Sequence, residues 1–215
     1  MTYKIAIDGP AGSGKSTVSK IIASQYNLTF VSTGYFFRAY ALILKNNNKI
    51  NATADEQLEI LNNTTIDIDN DKLFINGIDS TNNIKNSEIS ELASMLATKK
   101  HIREIAKNSQ IEIANKKDVI MDGRDIGTVI MPNANVKIYL VASIKERAKR
   151  RTKELKQLNE KTSYFKVWFE IFKRDWNDKH RKIAPLKKAN DAIVVKTNNK
   201  SINDVVTEIA KYIKK

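Results

Sequence analysis

The chain has 215 residues, 41% of them hydrophobic, which is enough to bury one full core. It has no cysteine, which excludes disulfides and thiol chemistry, and its two histidines, His101 and His180, are too far apart in sequence to predict a metal site. The formal net charge is +13, but the lysines are scattered along the chain, so we expect no dedicated nucleic-acid binding. Without a signal-peptide pattern or a membrane-spanning run, we expect a cytoplasmic protein with no membrane partner.

The first informative stretch is a glycine-rich loop that matches the pattern G-x-x-x-x-G-K-[ST]. Its residues are Gly9, Pro10, Ala11, Gly12, Ser13, Gly14, Lys15, Ser16 and Thr17. A short buried strand is predicted before the loop, over 3–7, and a helix after it, as far as Tyr26. In that setting backbone N–H groups face phosphate oxygens, Lys15 reaches the β- and γ-phosphates, and the Ser16 hydroxyl can ligate Mg²⁺. The loop therefore predicts binding of a nucleoside triphosphate.

The segments after the first helix predict a second strand over 28–31, a turn over 32–34 and an apolar helix over 35–42. Arg38 is the one charged residue in that helix. A lone arginine beside aromatic residues usually lies at the surface. One placed just after a strand that ends beside a phosphate loop is also a candidate anion ligand.

Residues 66–77 alternate between apolar and polar, which predicts a small antiparallel meander inserted between helical segments. Turns are expected at Asn70-Asp71 and at Asn76-Gly77, the second being a strong hairpin signal. A capping box at Thr53–Glu56 predicts the start of a short helix before the meander. Because the meander has little apolar content of its own, we expect it either to pack on the rest of the protein or to move as a flap.

Two helical stripes follow, over 89–96 and 102–109. Ser94 and Arg103 lie off these stripes, where they can face either a cleft or solvent. The sequence 115–118 matches the guanine-reading pattern N-K-x-D. That pattern follows a strand in guanine-binding proteins, but here it precedes one, so we assign it no guanine specificity.

The second informative stretch is an apolar run, 119–121, that ends at Asp122 and continues through Arg124 and Asp125. An acid at the end of a buried strand has the placement of a Walker-B aspartate. Ligand sites in parallel sheets lie at the carboxyl ends of strands, so Asp122 is a candidate Mg²⁺ ligand. The alternative is a charged turn that is closed by an ion pair of its own.

The last third of the chain predicts a strand over 136–141, a basic helix capped by Ser143, and a final strand and helix over 193–213. Before the final strand, a helical stripe is expected at Trp168, Ile171 and Phe172. The predicted face of the final helix is Ile202, Val205, Val206, Ile209 and Ile213.

A dense charge run lies between these elements. Arg174, Asp178 and Arg181 fall on one face of a helix, which indicates either a group of ligands or an ion-pair ladder on the surface.

Five strands alternate with helices, which predicts an α/β fold with a five-stranded parallel sheet and helices on both faces. Four motifs resemble the bacterial cytidylate kinases among the P-loop nucleoside monophosphate kinases. They are I-D-G-P-A-G-S-G-K-S at Ile7–Ser16, S-T-G-x-x-x-R at Ser32–Arg38, D-G-R-D-I-G-T at Asp122–Thr128 and R-D-x-x-D-x-x-R-x-x-A-P-L at Arg174–Leu186. The resemblance runs over nearly the whole chain.

The resemblance implies a P-loop NTPase three-layer fold in one kinase unit, with a core formed by 1–34, 99–157 and 183–215. It implies a CMP-binding insertion with the small antiparallel sheet over 35–98, and a helical lid over 158–182. It also implies transfer of the γ-phosphate of ATP to CMP or dCMP with Mg²⁺. We expect a monomer.

The resemblance also implies roles for individual residues. The phosphate end of the monophosphate would be bound by Thr33, Arg38, Arg124 and Arg181. Cytosine would be read by Ser94, Arg103 and Asp125, and the ribose and lid would be contacted by Arg174 and Asp178. The implied catalytic residues are Lys15, Arg124, Arg174 and Arg181, and the implied metal ligands are Ser16 and Asp122.

The sequence departs from the family pattern at Phe37, Lys100, Ile111 and Lys196. Phe37, at a CMP-binding position, replaces a frequent tyrosine and would lack one hydrogen bond. Two other functions stay open: a P-loop kinase for UMP or a non-nucleotide acceptor, and a nucleotide-dependent RNA-binding regulator.

Overall fold

A computed structural model describes residues 2–69, 72–157 and 159–215 of the chain. The main sheet consists of β1 (Lys4–Asp8), β2 (Thr29–Ser32), β6 (Val119–Gly123), β7 (Val136–Val141) and β8 (Ile193–Lys196). A second sheet consists of β3 (Ile66–Asp69), β4 (Lys72–Ile75) and β5 (Ile78–Asp79). The helices are α1 (Lys15–Tyr26), α2 (Thr33–Asn46), α3 (Ala54–Asn62), α4 (Ser87–Leu96), α5 (Lys100–Lys116), α6 (Ile144–Gln157), α7 (Tyr164–His180) and α8 (Ile202–Ala210).

The main sheet has the strand order β2-β6-β1-β7-β8, and all of its strand pairs are parallel. The register pairs Ser32 with Asp122, and Asp8 with Gly123. The carboxyl ends of β2, β6 and β1 therefore lie at one edge of the sheet. This confirms the predicted α/β class and places three polar strand ends next to each other.

The two faces of the sheet pack against different helices, which gives the fold three layers. On one face, Ile5, Ile7 and Ile120 lie in a core cluster with residues of α1 and α8. On the other face, Ala6 and Met121 lie in a cluster with α2, α4, α5 and the inserted sheet. Successive strand residues point to opposite faces, so buried strands with helices on both sides are apolar at every position.

The predicted meander is present as the three-stranded antiparallel sheet β3-β4-β5. Its hairpin at Asn76-Gly77 has positive φ at both residues, 50° and 77°, as a two-residue turn of this kind requires. The predicted turn at Asn70-Asp71 lies outside the described residues. The sheet is not free of the core, because Ile68 and Leu73 belong to the cluster formed with α2.

Helices α6 and α7 form a hairpin with a small core of its own, Ala148, Leu155, Val167 and Ile171. The predicted stripe of α7 was wrong at one position. Phe172 is exposed, and Val167 takes its place in the core. Aromatic residues occupy both faces of α7, so periodicity alone could not identify the buried one.

Two further predictions differ from the structure, and one segment was not predicted. The expected turn at 32–34 is absent, since α2 begins at Thr33, whose hydroxyl donates to the Asp122 carbonyl oxygen at 2.7 Å. A π-helical segment at Ile126–Ile130 was not predicted. On the final helix, Ile202 is exposed and Ile213 lies beyond its end.

Within the described ranges, no helix has the length and apolar character needed to cross a membrane.

Candidate active site

The glycine-rich loop connects β1 to α1, as its motif predicts. Gly9 adopts φ 152°, and a Cβ there would lie 2.2 Å from the Leu140 carbonyl oxygen. Gly14 is the N-cap of α1 with φ 93° and provides no side-chain cap. The first N–H groups of α1 are therefore left to a ligand, and the positive end of the helix dipole favours an anion there.

Lys15, the first residue of α1, has its side chain buried within this loop. Its Nζ donates to the Pro10 carbonyl oxygen at 2.9 Å. Burial lowers the pKa of Lys15 well below its ordinary value, and the neighbouring Arg124 and Arg174 lower it further. The lysine therefore lies at a point where positive charge is already concentrated, which is where an anionic phosphate is most strongly stabilised.

Ser16 and Asp122 lie together across the sheet edge, because the Ser16 hydroxyl donates to Asp122 Oδ2. The other carboxylate oxygen, Oδ1, is buried and has no hydrogen-bond partner among the described residues. A hydroxyl beside an unsatisfied carboxylate oxygen fits Mg²⁺, which takes oxygen ligands and usually binds through one or two protein groups plus substrate phosphates. In keeping with such a sparse site, the described residues contain no cluster of three or more metal-ligating side chains.

The D-G-R-D turn is held by ion pairs to distant residues. Arg124 Nε donates to Asp178 at 2.7 Å. Asp125 accepts from Arg103 at 2.5 Å and from Arg181 at 3.1 Å. The alternative of a charged turn closed by its own ion pair was therefore wrong in the described residues, since these pairs join the turn to α5 and to α7 with its C-cap.

The pairing between Arg124 and Asp178 shifts both of their pKa values. Burial favours the neutral form of Arg124, but the Asp178 carboxylate outweighs it and raises the pKa. For Asp178, burial favours the protonated form, while Arg124 and Arg174 outweigh it and lower the pKa. Both groups are therefore charged at neutral pH. Their ion pair holds the Arg124 guanidinium in place, close enough to Lys15 to affect its pKa.

Arg38 and Arg174 complete a group of cations near this point. Burial and Arg151 lower the pKa of Arg38, and burial together with Arg124 lowers the pKa of Arg174 to about 10. With a pKa of about 10, Arg174 still carries its charge at neutral pH. Arg174 Nε is buried and makes no hydrogen bond within the described part of the chain. These cations repel one another, and Arg174 has an N–H donor without a partner. A ligand with two or three negative charges would relieve the repulsion and accept the hydrogen bond.

The predicted readers of cytosine are only partly brought together. Arg103 and Asp125 form a buried ion pair, and the Arg103 guanidinium lies 5.6 Å from the centroid of the Phe37 ring. Phe37, which lacks the hydroxyl of a tyrosine, therefore contributes a cation–π contact here. Ser94, on α4, is half-buried, and no polar contact of its hydroxyl was found among the described residues.

The remaining predicted residues are placed as follows. Thr33 is buried at the start of α2, directly after β2, and its hydroxyl donates to the Asp122 carbonyl oxygen. Burial and the nearby Arg103 lower the pKa of Arg181, which also donates to the Ala184 carbonyl oxygen at 2.6 Å. The departures Lys100 and Lys196 are exposed, and Ile111 packs against the core.

The surface-ladder interpretation of the α7 charges was wrong. Asp178 pairs with Arg124 on the sheet edge, and Asp175 pairs with Arg147 of α6 at 2.6 Å. Of these side chains, Arg147 is exposed by only 6% and Asp178 by 11%. These pairs are internal and attach α7 to the sheet edge and to α6.

Sequence reasoning missed two buried residues that support the site. Asp8, at the end of β1, accepts from the backbone N–H groups of Ile126 at 2.9 Å and Gly127 at 2.8 Å. Arg147 donates to the Ala11 carbonyl oxygen at 3.0 Å, within the phosphate loop. Asp8 could have been noticed, because it follows an apolar strand as Asp122 does. Nothing local distinguishes Arg147 from the other basic residues of α6.

Comparisons with known proteins agree with this geometry. The family model described as cytidylate kinase matches residues 5–215. The chain is 44% identical over 212 residues to a cytidylate kinase of Fusobacterium nucleatum, covering 98% of this chain and 97% of the relative. It is 46% identical over 209 residues to a cytidylate kinase of Caldicellulosiruptor bescii, covering 95% of this chain and 92% of the relative. A solved shikimate kinase from Bacteroides thetaiotaomicron superposes with a TM-score of 0.50 at 14% identity, covering 97% of each chain, which concerns the fold alone.

Proposed function

Because the chain belongs to the cytidylate kinase family, we propose that it transfers the γ-phosphate of ATP to CMP and dCMP. The products are CDP or dCDP, and ADP. The observation that carries the proposal is the convergence of Lys15, Arg38, Arg124 and Arg174 beside the Ser16–Asp122 pair. A polyanionic donor and an anionic acceptor can both be neutralised at that one point.

No general base is needed for this reaction, because the attacking group is already an anionic phosphate oxygen of the acceptor. Catalysis then consists of positioning the two phosphates in line and neutralising the charge of the transferring group. Lys15 contacts the donor phosphates, while Arg124, Arg174 and Arg181 contact the transferring group and the acceptor phosphate. Mg²⁺ held through Ser16 and Asp122 would neutralise charge on the phosphate oxygens of the donor.

The proposal also divides the chain into three parts with different tasks. We assign the core to 1–34, 99–157 and 183–215, the CMP-binding insertion to 35–98 and the lid to 158–182. Helix α7 carries both Arg174 and Asp178, so a movement of this helix would bring or remove charge at the reacting centre. Closure of the lid over both nucleotides would exclude water, which is otherwise a competing acceptor of the phosphoryl group.

Recognition of cytosine is assigned to Ser94, Arg103 and Asp125. Cytosine offers an amino donor together with O2 and N3 as acceptors, and UMP has O4 and an N3–H in place of the amino group and N3 lone pair. An acidic acceptor and a guanidinium donor match the first pattern. The buried Arg103–Asp125 pair supports this assignment, because its polar atoms are held in fixed positions.

An acceptor panel tests the proposal. ATP consumption is measured with CMP, dCMP, UMP, AMP and GMP, with and without Mg²⁺. We expect CMP and dCMP to be used, and UMP to be used roughly 10- to 1,000-fold less well in kcat/KM. Background turnover with CMP and dCMP, together with high turnover on another acceptor, would mean that the chain is a different P-loop kinase. The predicted monomer and cytoplasmic location stay predictions.

A further inference from the structure

The outer face of α7 carries a row of exposed aromatic rings. Phe165, Phe169, Phe172 and Trp176 are exposed by 81%, 62%, 45% and 57%. They are spaced at i, i+4, i+7 and i+11, so they lie along one face of the helix over about 16 Å. The buried residues of the same helix are Val167, Ile171 and Asp178. This aromatic row therefore lies on the side of α7 away from the candidate active site.

Rings of this part of α7 stack on neighbouring rings. The rings of Trp168 and Phe172 are nearly parallel and stacked, with an interplanar angle of 3° and centroids 5.6 Å apart. Trp176 stacks on His180 at 3.9 Å. Flat rings that are already stacked and still exposed can continue the stack with a planar ligand such as a nucleobase.

The positive charge of the protein is concentrated on the same hairpin. Residues 144–182 contain fourteen Lys and Arg against six Asp and Glu, which gives +8 of the +13 carried by the whole chain. An open groove there is lined by Lys149, Thr152, Lys153, Lys156, Gln157 and Tyr164. Its three lysines are spaced at i, i+4 and i+7 on one face of α6. The basic residues are therefore less evenly scattered than the paired lysines along the chain suggested, since this one stretch carries more than half of the net charge.

The lysine groove and the aromatic row are continuous. Tyr164 lines the groove, and its ring contacts that of Phe165 edge to face, with centroids 5.6 Å apart. Phe165 is the first ring of the row. A chain that leaves the groove at Tyr164 would therefore pass directly onto the exposed rings.

We propose that the outer face of the α6–α7 hairpin binds single-stranded nucleic acid. The phosphate backbone lies in the groove of Lys149, Lys153 and Lys156, and successive bases stack on Phe165, Phe169 and Trp176. A positively charged groove that tracks a backbone, combined with aromatic platforms, is how sequence-tolerant single-strand binders work. Unpaired strands are required, because the bases of a duplex are not free to stack on protein rings.

Charge complementarity favours this occupant over a second copy of the chain, since two copies would bring two hairpins of net charge +8 together. An anionic membrane surface is less suited to the row, which consists of aromatic rings without aliphatic residues on the same face and is bordered by exposed Lys166 and Lys173. Both alternatives are outcomes of the experiment below.

Binding is measured by fluorescence anisotropy with a labelled RNA of about twelve nucleotides that lacks a terminal phosphate, over a range of salt concentrations. We expect Phe169→Ala and Trp176→Ala each to weaken binding about tenfold. The matched control is Tyr212→Ala, which removes an exposed ring outside the hairpin and should leave the affinity unchanged. All three variants should keep the kcat for CMP, because none of these rings belongs to the active site.

The groove is tested by the triple substitution of Lys149, Lys153 and Lys156 to Gln. The slope of log K against log salt should fall in magnitude by about 2, as expected when three phosphate contacts to a single strand are lost. The control converts three exposed lysines elsewhere, Lys107, Lys187 and Lys211, to Gln and should change the slope much less.

Several results would overturn the proposal. Displacement of the RNA by excess CMP would place it in the acceptor site rather than on the hairpin. Equal affinity in the ring variants and the wild type would remove the aromatic row from binding. Ring-dependent binding to phosphatidylserine vesicles without RNA binding would identify a membrane surface. A ring-dependent dimer in sedimentation would identify a second copy. The acceptor panel is independent of all these measurements, so the two proposals can fail separately.

Discussion

The two ends of the candidate active site are built in different ways. On the donor side, nine consecutive residues, the six between β1 and α1 and the first three of α1, form the phosphate loop, and Lys15 makes its hydrogen bond within that loop. On the acceptor side, Arg103, Arg124, Asp125, Asp178 and Arg181 come from separate parts of the chain and are joined by ion pairs. The donor side is local in sequence, and the acceptor side is assembled by tertiary structure.

This difference determines how each side should respond to substitution. The side chain of Lys15 can be removed with little effect on folding, because its hydrogen bond is made within the loop. A residue of the assembled side leaves a buried charge without its partner, which costs stability as well as activity. The variants below test this distinction, in order of decreasing expected effect on the reaction.

The largest effect is expected for Lys15→Ala. This cation neutralises charge that develops on the transferring phosphoryl group, so kcat should fall by about 10³-fold. Its one hydrogen bond in the described structure joins it to Pro10, so the midpoint of urea unfolding should stay near that of the wild type. Lys107→Ala, at an exposed position, serves as the control. An unchanged kcat in a folded Lys15→Ala variant would remove this residue from the mechanism.

The next largest effect is expected for two variants that are measured side by side, Arg174→Ala and Arg181→Ala. Both should lower kcat by about 10²-fold, because each removes a donor that stabilises the transferring group. They should differ in stability. Arg174 has an unpaired buried Nε, whereas Arg181 bonds to Asp125 and to the Ala184 carbonyl oxygen.

Urea unfolding should therefore show a clear loss of stability for Arg181→Ala and little loss of stability for Arg174→Ala. Rates within twofold of the wild type in both variants would mean that neither arginine stabilises the transferring group. Equal losses of stability would contradict the assignment of Arg174 to substrate rather than to structure.

The third effect concerns selectivity. Asp125→Ala should damage kcat/KM for CMP far more than for UMP, so that the CMP/UMP ratio falls at least about tenfold. The KM for ATP should stay near normal. Because Asp125 neutralises both Arg103 and Arg181, Asp125→Asn is measured beside it as a variant of nearly equal volume. Equal losses with both acceptors would assign Asp125 a structural role or a role in binding metal.

The smallest kinetic effect is expected for Asp8→Asn. Asp8 holds the turn that follows Asp125 by accepting one backbone N–H group on each carboxylate oxygen, and asparagine replaces one of these oxygens with an NH2 donor. We expect the KM for CMP to rise about fivefold, with a smaller change in kcat, as for a residue that positions the acceptor site. A loss confined to the KM for ATP would contradict this role.

The same variant has a signature in the pH dependence of stability. Burial raises the pKa of Asp8 from 3.8 to about 6, so the folded protein binds this proton more tightly than the unfolded chain does. The stability contributed by Asp8 therefore falls as the pH rises through that interval. Asparagine does not titrate, so the stability of the wild type relative to Asp8→Asn should decrease between pH 4 and pH 7. A constant difference would mean that Asp8 does not titrate in this range.

Local patterns predicted the strands, most helices, the capping box at Thr53 and the N-cap at Ser143, because hydrogen-bonded caps and apolar periodicity depend on neighbouring residues. They failed where a helix has aromatic residues on more than one face, as at Phe172. They also failed at the π-helical segment Ile126–Ile130, whose first two N–H groups are held by Asp8 from a distant strand.

By itself the sequence determined the phosphate loop, the parallel sheet and the family, because each depends on contiguous residues or on periodicity along the chain. The tertiary structure alone decided the partners of the charges. Arg124 stands between two aspartates in the sequence, but it pairs with Asp178, which is 54 positions away. Charges interact through space, and the chain brings distant segments together only after its core has packed. The sequence can therefore name charged candidates, while only the fold shows which of them are neutralised and which remain available to a substrate.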